Sequence, residues 1–406
     1  MKLLNVAKAA LYGIFLNYYC YYVLNGAFIP RGTVIFFAVA CVCVGMDMFR
    51  RRYVYVGSEF RCWFLYAALA LVTTVLFTSA TGTGYISDIA KYVQRILIAG
   101  MVAYICEQEN SVRFGLRLMA VTAVACAIAV LLVLDNFRLK LDLSSGANLS
   151  ANDTGAIMAF GCFAVLFAVG RRDRTSLLIT LAKAIGIICC VTVIFLAGSR
   201  KSIIAVIIML VLLLLCSPDY LRRIRLSSLI VIGITCIAAY LFVKGNLLPY
   251  AEQTNLYARL FGRGAEIAEQ SDNGRMRLYV MALEDFVKNP FFGLGFNQFN
   301  THHGNYTHST YVEPLACSGL IGLVYLYPYI SMVKKQILLI RENKKGSTAR
   351  LKQKELMVYL CMFLFIGIGI PFMYKDVPCI LLGTFVASQH ISLKELKQSG
   401  QSSADY

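Results

Sequence analysis

The sequence predicts an all-α polytopic membrane protein with about twelve transmembrane helices. Of its 406 residues, 58% are hydrophobic and only 15% are charged. The hydrophobic residues fall in repeated runs of about 17 to 25, and a helix of that length crosses about 30 Å of hydrocarbon. A helix also satisfies its own backbone hydrogen bonds, which a lipid-embedded segment requires. We therefore expect residues 1–406 to form a single integral membrane domain.

Twelve spans follow from the positions of these runs. The first span has lysines ahead of it but lacks a small-residue cleavage site, so we expect it to be retained. The predicted spans lie near residues 9–29, 32–48, 62–80, 87–106, 116–135, 154–170, 176–197, 203–217, 227–243, 309–333, 355–373 and 377–391.

Basic residues collect in every second connection between these spans. Short loops rich in lysine and arginine stay on the cytoplasmic side, so both termini are expected in the cytoplasm of a multi-pass inner (plasma) membrane protein. The net charge of +17 is then mostly a topological signal, and no nucleic-acid partner is expected. The fourteen cysteines lie almost entirely inside apolar runs, which argues against a disulfide framework or a cysteine zinc site.

Residues 244–308 form the one long polar segment, and this topology places it on the external face. The pattern from Met276 to Lys288 predicts an amphipathic helix resting on the membrane or on the spans. Pro290 is expected to end that helix, and Thr307 to cap the helix of the tenth span.

Titratable and cationic residues are concentrated at this external face. Three of the four histidines, His302, His303 and His308, lie within seven residues. Arg263, Arg275 and Arg277 precede them, and a basic pair, Arg200 and Lys201, follows an apolar run. Asp88, Lys91 and Arg95 share one face at the outer end of the fourth span. A membrane protein seldom exposes such groups without a use for them.

Several of these motifs together resemble the O-antigen ligase and polymerase superfamily, over about residues 199–322. Members of this superfamily have an Asn after the histidine, where this chain has Ser309. The matching stretches are Gly198-Ser199-Arg200, Asn273-Gly274-Arg275, Asn289 to Gly295, His308-Ser309-Thr310-Tyr311 and Gly319-Leu320-Ile321-Gly322.

The resemblance implies a family-C-like membrane glycosyltransferase that needs neither a metal nor another cofactor. Its donor would be a glycan linked through diphosphate to a polyprenol. The two family arginines map onto Arg200 and Arg275, and the family histidine onto His308. Arginine suits a diphosphate because its guanidinium group stays charged and grips phosphate oxygens in pairs, and an imidazole suits activation of a sugar hydroxyl.

Further substrate contacts are expected from the remaining polar residues of the external face. These are Arg277, Lys201, Lys91, Arg95, Arg263 and His303.

Each assignment has a structural alternative. Arg200 could anchor the end of its span, and Arg275 could pair with Glu284 or Asp272. His308 could be a helix cap. Asp88 could pair internally with Lys91 or Arg95. A metal site formed by the three histidines is disfavoured, because adjacent histidines rarely bind one ion together.

Three functions remain open. A polymerase would join polyprenyl-diphosphate-linked repeat units into an O-antigen, capsule or exopolysaccharide. A ligase would transfer the finished glycan to lipid A core. A transporter of lipid-linked sugar would show inverted repeats, which the sequence lacks. Partners would be the lipid-linked glycan, the lipid bilayer, and chain-length regulator and flippase proteins.

Overall fold

A computed structural model describes residues 2–23, 31–53, 57–77, 84–133, 151–167, 177–197, 199–216, 264–344 and 346–398. The predicted ninth span, Gly198 and Arg263 lie outside these ranges. Within them every regular element is a helix. The α-helices are α1 Lys2–Val23, α2 Gly32–Arg51, α3 Ser58–Phe77, α4 Gly84–Gln108, α5 Arg113–Val133, α6 Ala151–Phe167, α7 Leu177–Ala197, α8 Arg200–Cys216, α9 Gly264–Lys288, α10 Gln298–His303, α11 Glu313–Ser318, α12 Gly322–Glu342, α13 Thr348–Gly367 and α14 Val377–Gln398.

The helices agree with a polytopic membrane protein. Each of the predicted spans except the ninth and the tenth overlaps one described helix. Six segments are long and apolar enough to cross a bilayer, by length and composition alone. The total of twelve spans stays a prediction. The six segments are Gly32–Arg51, Ser58–Leu76, Gly84–Gln108, Arg113–Leu132, Leu178–Ala197 and Glu313–Glu342.

The tenth predicted span is not one continuous helix, which corrects the sequence prediction. Helix α11 ends at Ser318, a single 3₁₀ turn covers Gly319–Ile321, and α12 then continues to Glu342. Gly319 has a φ of 59°, a conformation that glycine adopts readily. The apolar run therefore contains a break in its backbone that hydropathy does not reveal.

The chain divides into two compact units, of which the first comprises residues 1–5, 41–115 and 270–406. In this unit α4 packs along α14, and α3 packs along α12. A Cβ at Gly383 would lie 2.3 Å from the carbonyl oxygen of Ala99, so α14 and α4 are in backbone contact there. Small residues that permit such close approach are the usual basis of helix packing in membranes.

Aromatic side chains fill the centre of this first unit. Trp63 donates its indole N–H to the carbonyl of Tyr325 at 3.2 Å, and the Tyr66 hydroxyl lies 3.0 Å from that of Ser318. The rings of Tyr66 and Tyr92 meet edge to face, with centroids 5.7 Å apart. The indole N–H of Trp63 and the hydroxyl of Tyr66 thus both have hydrogen-bond partners inside the unit, and these bonds fix α3 against α11 and α12.

A group of ionisable residues lies at the first turn of α3. We call it the Glu59 cluster, and it consists of Glu59, Glu107, Lys335 and His390. Glu59, with a side chain only 1% exposed, is bound by the Lys335 ammonium group. The His390 ring lies 3.8 Å from Glu59 and 2.9 Å from Glu107. The Glu59 cluster therefore joins α3, α4, α12 and α14 by charge.

The second unit comprises residues 6–40 and 116–269. Within it α6 packs against α7 and α8. A Cβ at Gly155 would lie 2.4 Å from the Cβ of Ser199, so α6 closely approaches the turn before α8. The Ser199 and Ser202 hydroxyls are 2.8 Å apart, and both side chains are buried. This packing fixes the first turn of α8, which begins at Arg200.

Candidate active site

The first unit contains an open cavity of about 570 Å³ that collects four of the residues predicted to bind or activate substrate. It lies between α9 on one side and the segment from α10 to His308 on the other. The residues that line it are Gly274, Arg275, Arg277, Leu278, Met281, His303, Asn305 and His308.

Helix α9 supplies the cationic wall of the cavity. A helix covers the predicted segment 276–288, and it belongs to a longer helix that begins at Gly264. It ends at Lys288, two residues before Pro290, as expected for a residue that cannot continue a helix. The apolar face of α9 holds it in place: Leu278, Met281 and Ala282 pack with Phe299, Ala316 and Cys317.

A tight turn after α9 fastens the segment to the break in the tenth span. Gly293 has a φ of 66°, and a Cβ there would lie 2.4 Å from the Cys317 carbonyl carbon. The N–H groups of Leu294 and Gly295 donate to the carbonyls of Ala316 and Cys317, at 3.1 and 2.8 Å. The N–H groups of the turn thus take the place of the helical N–H donors that these two carbonyls would otherwise bind. No side chain fits at Gly293.

Two further hydrogen bonds connect the start of α10 to the spans. The backbone N–H of Phe296 donates to the Thr74 hydroxyl on α3 at 2.9 Å. The Asn297 amide donates to Asp88 on α4 at 2.6 Å. The short helix α10 is thereby held at a defined position on the unit.

His303, the last residue of α10, forms an ion pair or hydrogen bond with a carboxylate of α9. Its Nε2 lies 2.7 Å from Oδ2 of Asp285, and the two side chains are 19% and 12% exposed. The Phe299 ring contacts the imidazole, with centroids 4.5 Å apart. The sequence placed Asp285 on the polar face of its helix, whereas the structure buries it as the partner of His303.

His308 lies in a loop that is anchored by a buried carboxylate. Its backbone adopts a left-handed conformation with a φ of 59°, which costs a residue other than glycine about 1 to 2 kcal/mol. Immediately before it, the Thr307 N–H donates to Glu313 at 2.6 Å. Glu313 is completely buried and also accepts from the Tyr374 hydroxyl at 3.2 Å. Glu313 thus links the His308 loop to the segment before α14.

The residues after His308 are also fixed by hydrogen bonds. The Thr310 N–H donates to the Gly367 carbonyl at 2.8 Å, and the Thr310 hydroxyl accepts from the Phe372 N–H at 3.0 Å. The Ser309 hydroxyl accepts from the N–H groups of Tyr311 and Val312, at 3.2 and 3.4 Å. The role predicted for Thr307 as the helix cap is therefore wrong, since α11 begins only at Glu313 and Ser309 satisfies donors ahead of it.

Arg275 is close to this loop through Tyr279. Burial raises the pKa of the Tyr279 hydroxyl, while the Arg275 charge and a hydrogen bond with Ser309 oppose the increase. The phenol remains protonated at neutral pH and donates to the Ile368 carbonyl at 2.7 Å. Arg275 and Ser309, the neighbour of His308 in sequence, thus both interact with the same tyrosine.

An aromatic ring and a cationic side chain also lie near His308. The Tyr306 ring lies 4.4 Å from the His308 ring, between centroids. The Lys375 ammonium group lies 5.5 Å from the centroid of the Tyr306 ring, within range of a cation–π interaction. Lys375 is a positive charge near the cavity that the sequence had not singled out.

The remaining predicted contact residues are distributed more widely. Arg200 and Lys201 are half-buried at the start of α8, in the second unit. Lys91 is exposed and lies 3.4 Å from Asp88, so that expected internal pair is present. Arg95 instead pairs with Asp376 at 2.6 Å and donates to the Met373 carbonyl at 3.1 Å. His302 is exposed, next to His303.

Sequence reasoning missed two carboxylates of this site, Glu313 and Asp285. Glu313 had a visible signal, since it is an acidic residue within an apolar run and such residues are costly unless partnered. The signal for Asp285 was weaker, because its histidine partner lies 18 positions away. In the described part of the chain, no group of three or more His, Cys, Asp or Glu side chains is arranged to hold a metal ion.

Comparisons with known proteins agree with the motifs that line the cavity. Residues 185–327 match the family model described as O-antigen ligase. A comparison with curated proteins gives no match. The matched range covers α11, the start of α12, the turn at Gly293 and all eight cavity-lining residues. It supports a membrane enzyme of the ligase or polymerase type. Over residues 185–327 the chain is thus similar to the O-antigen ligase family.

Proposed function

We propose that this protein is a membrane glycosyltransferase that polymerises polyprenyl-diphosphate-linked repeat units into a surface polysaccharide, such as an O-antigen, capsule or exopolysaccharide. One observation carries the proposal: two arginines and two histidines line one cavity within the family match. Guanidinium groups bind the diphosphate of the donor, and an imidazole beside them activates the incoming hydroxyl.

The arginines stabilise the leaving group. Breaking the bond between the sugar and the diphosphate leaves negative charge on the phosphate oxygens. Arg275 and Arg277 supply fixed positive charge at the α9 wall, with neither a metal nor another cofactor required for that role. Arg200 stays a predicted contact for the diphosphate, and the dipole of α8, which begins at Arg200, also favours an anion.

His308 is proposed to act as the general base. Its imidazole removes the proton from the acceptor hydroxyl while the hydroxyl oxygen bonds to the anomeric carbon of the donor glycan. The bond from that carbon to the phosphate oxygen breaks, and the polyprenyl diphosphate leaves with the bonding electrons. The anchored loop holds His308 ready for this step, because Thr307 and Thr310 on either side of it are both hydrogen-bonded to the unit.

The other residues predicted to contact substrate remain proposals, and the structure supports some of them more than others. His303 and Arg277 line the cavity, which supports contact with substrate. Lys201 neighbours Arg200, and Arg263 lies outside the described residues. Lys91 pairs with Asp88 on its own helix, and Arg95 pairs with Asp376 just before α14, which favours structural roles over direct contact with substrate.

The cavity is proposed to face the outside of the inner membrane, with both termini in the cytoplasm, on the basis of the basic loops. Helix α9 would lie at the bilayer surface. Its side opposite the cavity exposes a stripe at helical spacing, formed by Met276, Val280, Leu283 and Val287. A lipid-linked donor could then present its diphosphate to Arg275 while its polyprenol remains in the bilayer. Chain-length regulator and flippase proteins remain predicted partners.

Ligation of a finished glycan to lipid A core is the second candidate. It is favoured by the description of the matching family model as O-antigen ligase. The donor and the bond that breaks are the same for both, and only the acceptor differs.

Replacing the proposed base tests the function directly. His308→Ala should lower transfer by roughly 10²- to 10⁴-fold, the usual contribution of general-base assistance. In cells, lipid-linked single repeat units should accumulate where long chains were made. In a ligase, full-length lipid-linked chains should accumulate instead, with unmodified lipid A core. Gel analysis of the lipid-linked and lipid A fractions separates these outcomes.

His302→Ala is the matched control, since this exposed histidine lies next to the cavity without lining it. Its transfer rate should stay within about threefold of wild type, as for a surface substitution away from the chemistry. Wild-type rates from purified His308→Ala protein would refute the role of the base. If the Arg200→Ala and Arg275→Ala variants were fully active as well, the proposal that the protein is a glycosyltransferase would be refuted.

A further inference from the structure

The pair formed by Asp285 and His303 is the one feature of the cavity to which neither arginine nor His308 chemistry gives a role. His303 lines the cavity together with Arg275, Arg277 and His308. Its partner Asp285 is nearly buried behind it, at 2.7 Å from Nε2. A carboxylate behind an imidazole is the arrangement by which proteins fix the orientation and tautomer of a histidine that meets a substrate.

The contact with Asp285 determines which nitrogen remains for a ligand. A carboxylate can only accept hydrogen bonds, so Nε2 of the neutral imidazole must carry the hydrogen. The lone pair is then on Nδ1. Among the residues that the structure describes, Nδ1 of His303 has no hydrogen-bond partner. The Phe299 ring beside the imidazole restricts its rotation. The neutral ring therefore presents an acceptor, fixed in direction, at the cavity wall.

The charges on the two walls select different parts of a substrate. Arg275 and Arg277 attract phosphate oxygens. At the His303 wall, the negative charge of Asp285 repels phosphate, and a hydrogen-bond acceptor offers it nothing to bind. A sugar hydroxyl, which is neutral and donates a hydrogen bond, suits this wall. The cavity volume of about 570 Å³ is in the range that holds a drug-sized ligand, so a diphosphate and a sugar ring fit side by side.

We propose that His303, oriented by Asp285, forms a subsite for the acceptor sugar, in which Nδ1 accepts a hydrogen bond from a hydroxyl group of the incoming glycan. This subsite rests on the proposed function. It gives each wall of the cavity its own ligand, with the donor diphosphate at α9 and the acceptor sugar at α10. His303 binds and orients the acceptor, while His308 removes the proton. Asp285 is a positioning residue that acts through His303.

Two substitutions of His303 distinguish a role in acceptor binding from a purely structural role in linking α10 to α9 through Asp285. In His303→Gln the side-chain amide N–H occupies the place of Nε2 and can still donate to Asp285, but the lone pair at Nδ1 is lost. In His303→Asn the amide lies near the place of Nδ1 and no longer reaches Asp285. A link between helices would tolerate Gln and fail with Asn. An acceptor subsite should be impaired by Gln while the protein stays folded.

The experiment measures binding of two probes to the purified full-length protein in nanodiscs. One probe is farnesyl diphosphate. The other is neutral glycan that mild acid has released from the lipid-linked fraction of the source cells, which keeps the acceptor hydroxyls and carries no phosphate. His303→Gln should weaken glycan binding about 5- to 10-fold, the range for loss of one hydrogen bond, and leave farnesyl diphosphate binding unchanged. Arg275→Gln should show the reverse pattern.

The same Gln variant should raise the KM for the acceptor by a similar factor and leave kcat within about twofold, because uniform binding is lost and proton transfer is not. Glycan binding equal to wild type in His303→Gln, or a wild type that binds farnesyl diphosphate and no glycan, would overturn the subsite. A wild type that binds the glycan through His303 yet shows no transfer would instead leave the subsite standing and overturn the proposed function.

Discussion

The cavity and the Glu59 cluster lie at opposite ends of α3 in the same unit, and both contain ionisable residues in an apolar protein. At 1.5 Å per residue, Glu59 and Thr74, whose hydroxyl binds the turn beside the cavity, are about 22 Å apart along the helix. In the Glu59 cluster, acids and bases bind each other: Lys335 and His390 both contact the buried carboxylate. At the cavity, Arg275, Arg277 and two histidines face a space large enough for a ligand.

This difference separates structural charge from functional charge. A buried carboxylate with partners on two other helices fixes those helices, and its removal should affect stability. Cationic groups along an open cavity contribute little to stability, because their charges repel one another, and their removal should affect substrate binding. A charged residue in a membrane protein is thus explained by its surroundings, and its presence in the sequence is not enough to assign its role.

The largest expected effect on stability comes from breaking the Glu59 cluster. Lys335→Met should lower the free energy of unfolding by about 3 kcal/mol, because it leaves the buried Glu59 carboxylate without its main partner. The melting temperature in detergent should fall by roughly 3 to 4 °C, because the entropy of unfolding is large for a chain of this length. Thermal unfolding followed by tryptophan fluorescence can measure this, since Trp63 lies on the same helix.

Two further variants show whether this loss is due to the buried charge. The double variant Glu59→Gln with Lys335→Met should regain most of the stability, since neither charge is then buried. Arg277→Gln at the cavity should leave the melting temperature unchanged and reduce transfer. A stable Lys335→Met protein, or an unstable Arg277→Gln protein, would erase the distinction between the two regions.

A smaller loss of stability should follow from filling the tight turn beside the cavity. Gly293→Ala combines a left-handed backbone with a Cβ only 2.4 Å from the Cys317 carbonyl carbon, so the turn must separate from α11. We expect a loss of about 2 to 3 kcal/mol, as for overpacking in a closed core. Transfer per folded molecule should fall as well, because the turn positions α10.

Gly304→Ala is the matched control, since Gly304 has nearly the same φ of 71° but open space around it. It should lose only the conformational term of about 1 kcal/mol. Equal losses of stability in the two variants would show that backbone conformation, and not the contact with α11, determines the effect at Gly293.

The smallest effect is expected where a buried acid supports the cavity. Glu313→Gln keeps the shape of the side chain but replaces one acceptor oxygen with an amide that cannot receive the hydrogen bonds from both Thr307 and Tyr374. His308 should lose part of its fixed position, and kcat should fall about 10-fold with little change in KM, since small misplacement of a catalytic group mainly affects the chemical step. Steady-state kinetics on the purified variant test this.

Tyr374→Phe removes the hydroxyl that shares the Glu313 carboxylate and leaves the Thr307 contact in place. Its kcat should fall by less than that of Glu313→Gln. If the order of the two variants were reversed, the anchor of the His308 loop would be Tyr374 and the segment around it.

Much of the helical framework could be predicted because hydrophobic length is a local property. The apolar runs locate the helices from α1 to α8, and Pro290 correctly indicates the end of α9. The order of the Arg275 and His308 motifs also indicated a shared site, since both line the same cavity.

The missed features depend on contacts between distant residues or on backbone geometry. Asp376 is the partner of Arg95 although it lies 281 positions away, and nothing near Arg95 indicates it. The break at Gly319 lies within an apolar run, and hydropathy averaged over a span does not detect a single left-handed residue. The Asp285 partner of His303 was assigned to the solvent face, because periodicity separates polar from apolar residues but does not show which polar residues become buried.

The exchange of backbone hydrogen bonds at the broken span has a consequence for motion during turnover. The Leu320 N–H donates to the Pro290 carbonyl at 2.8 Å, and the Leu294 and Gly295 N–H groups donate back to α11. Opening this junction would separate six backbone groups from their partners at once. The segment that begins at the turn therefore does not behave as a lid over the cavity. If the protein polymerises its substrate as proposed, an extended glycan leaves the cavity past a fixed wall.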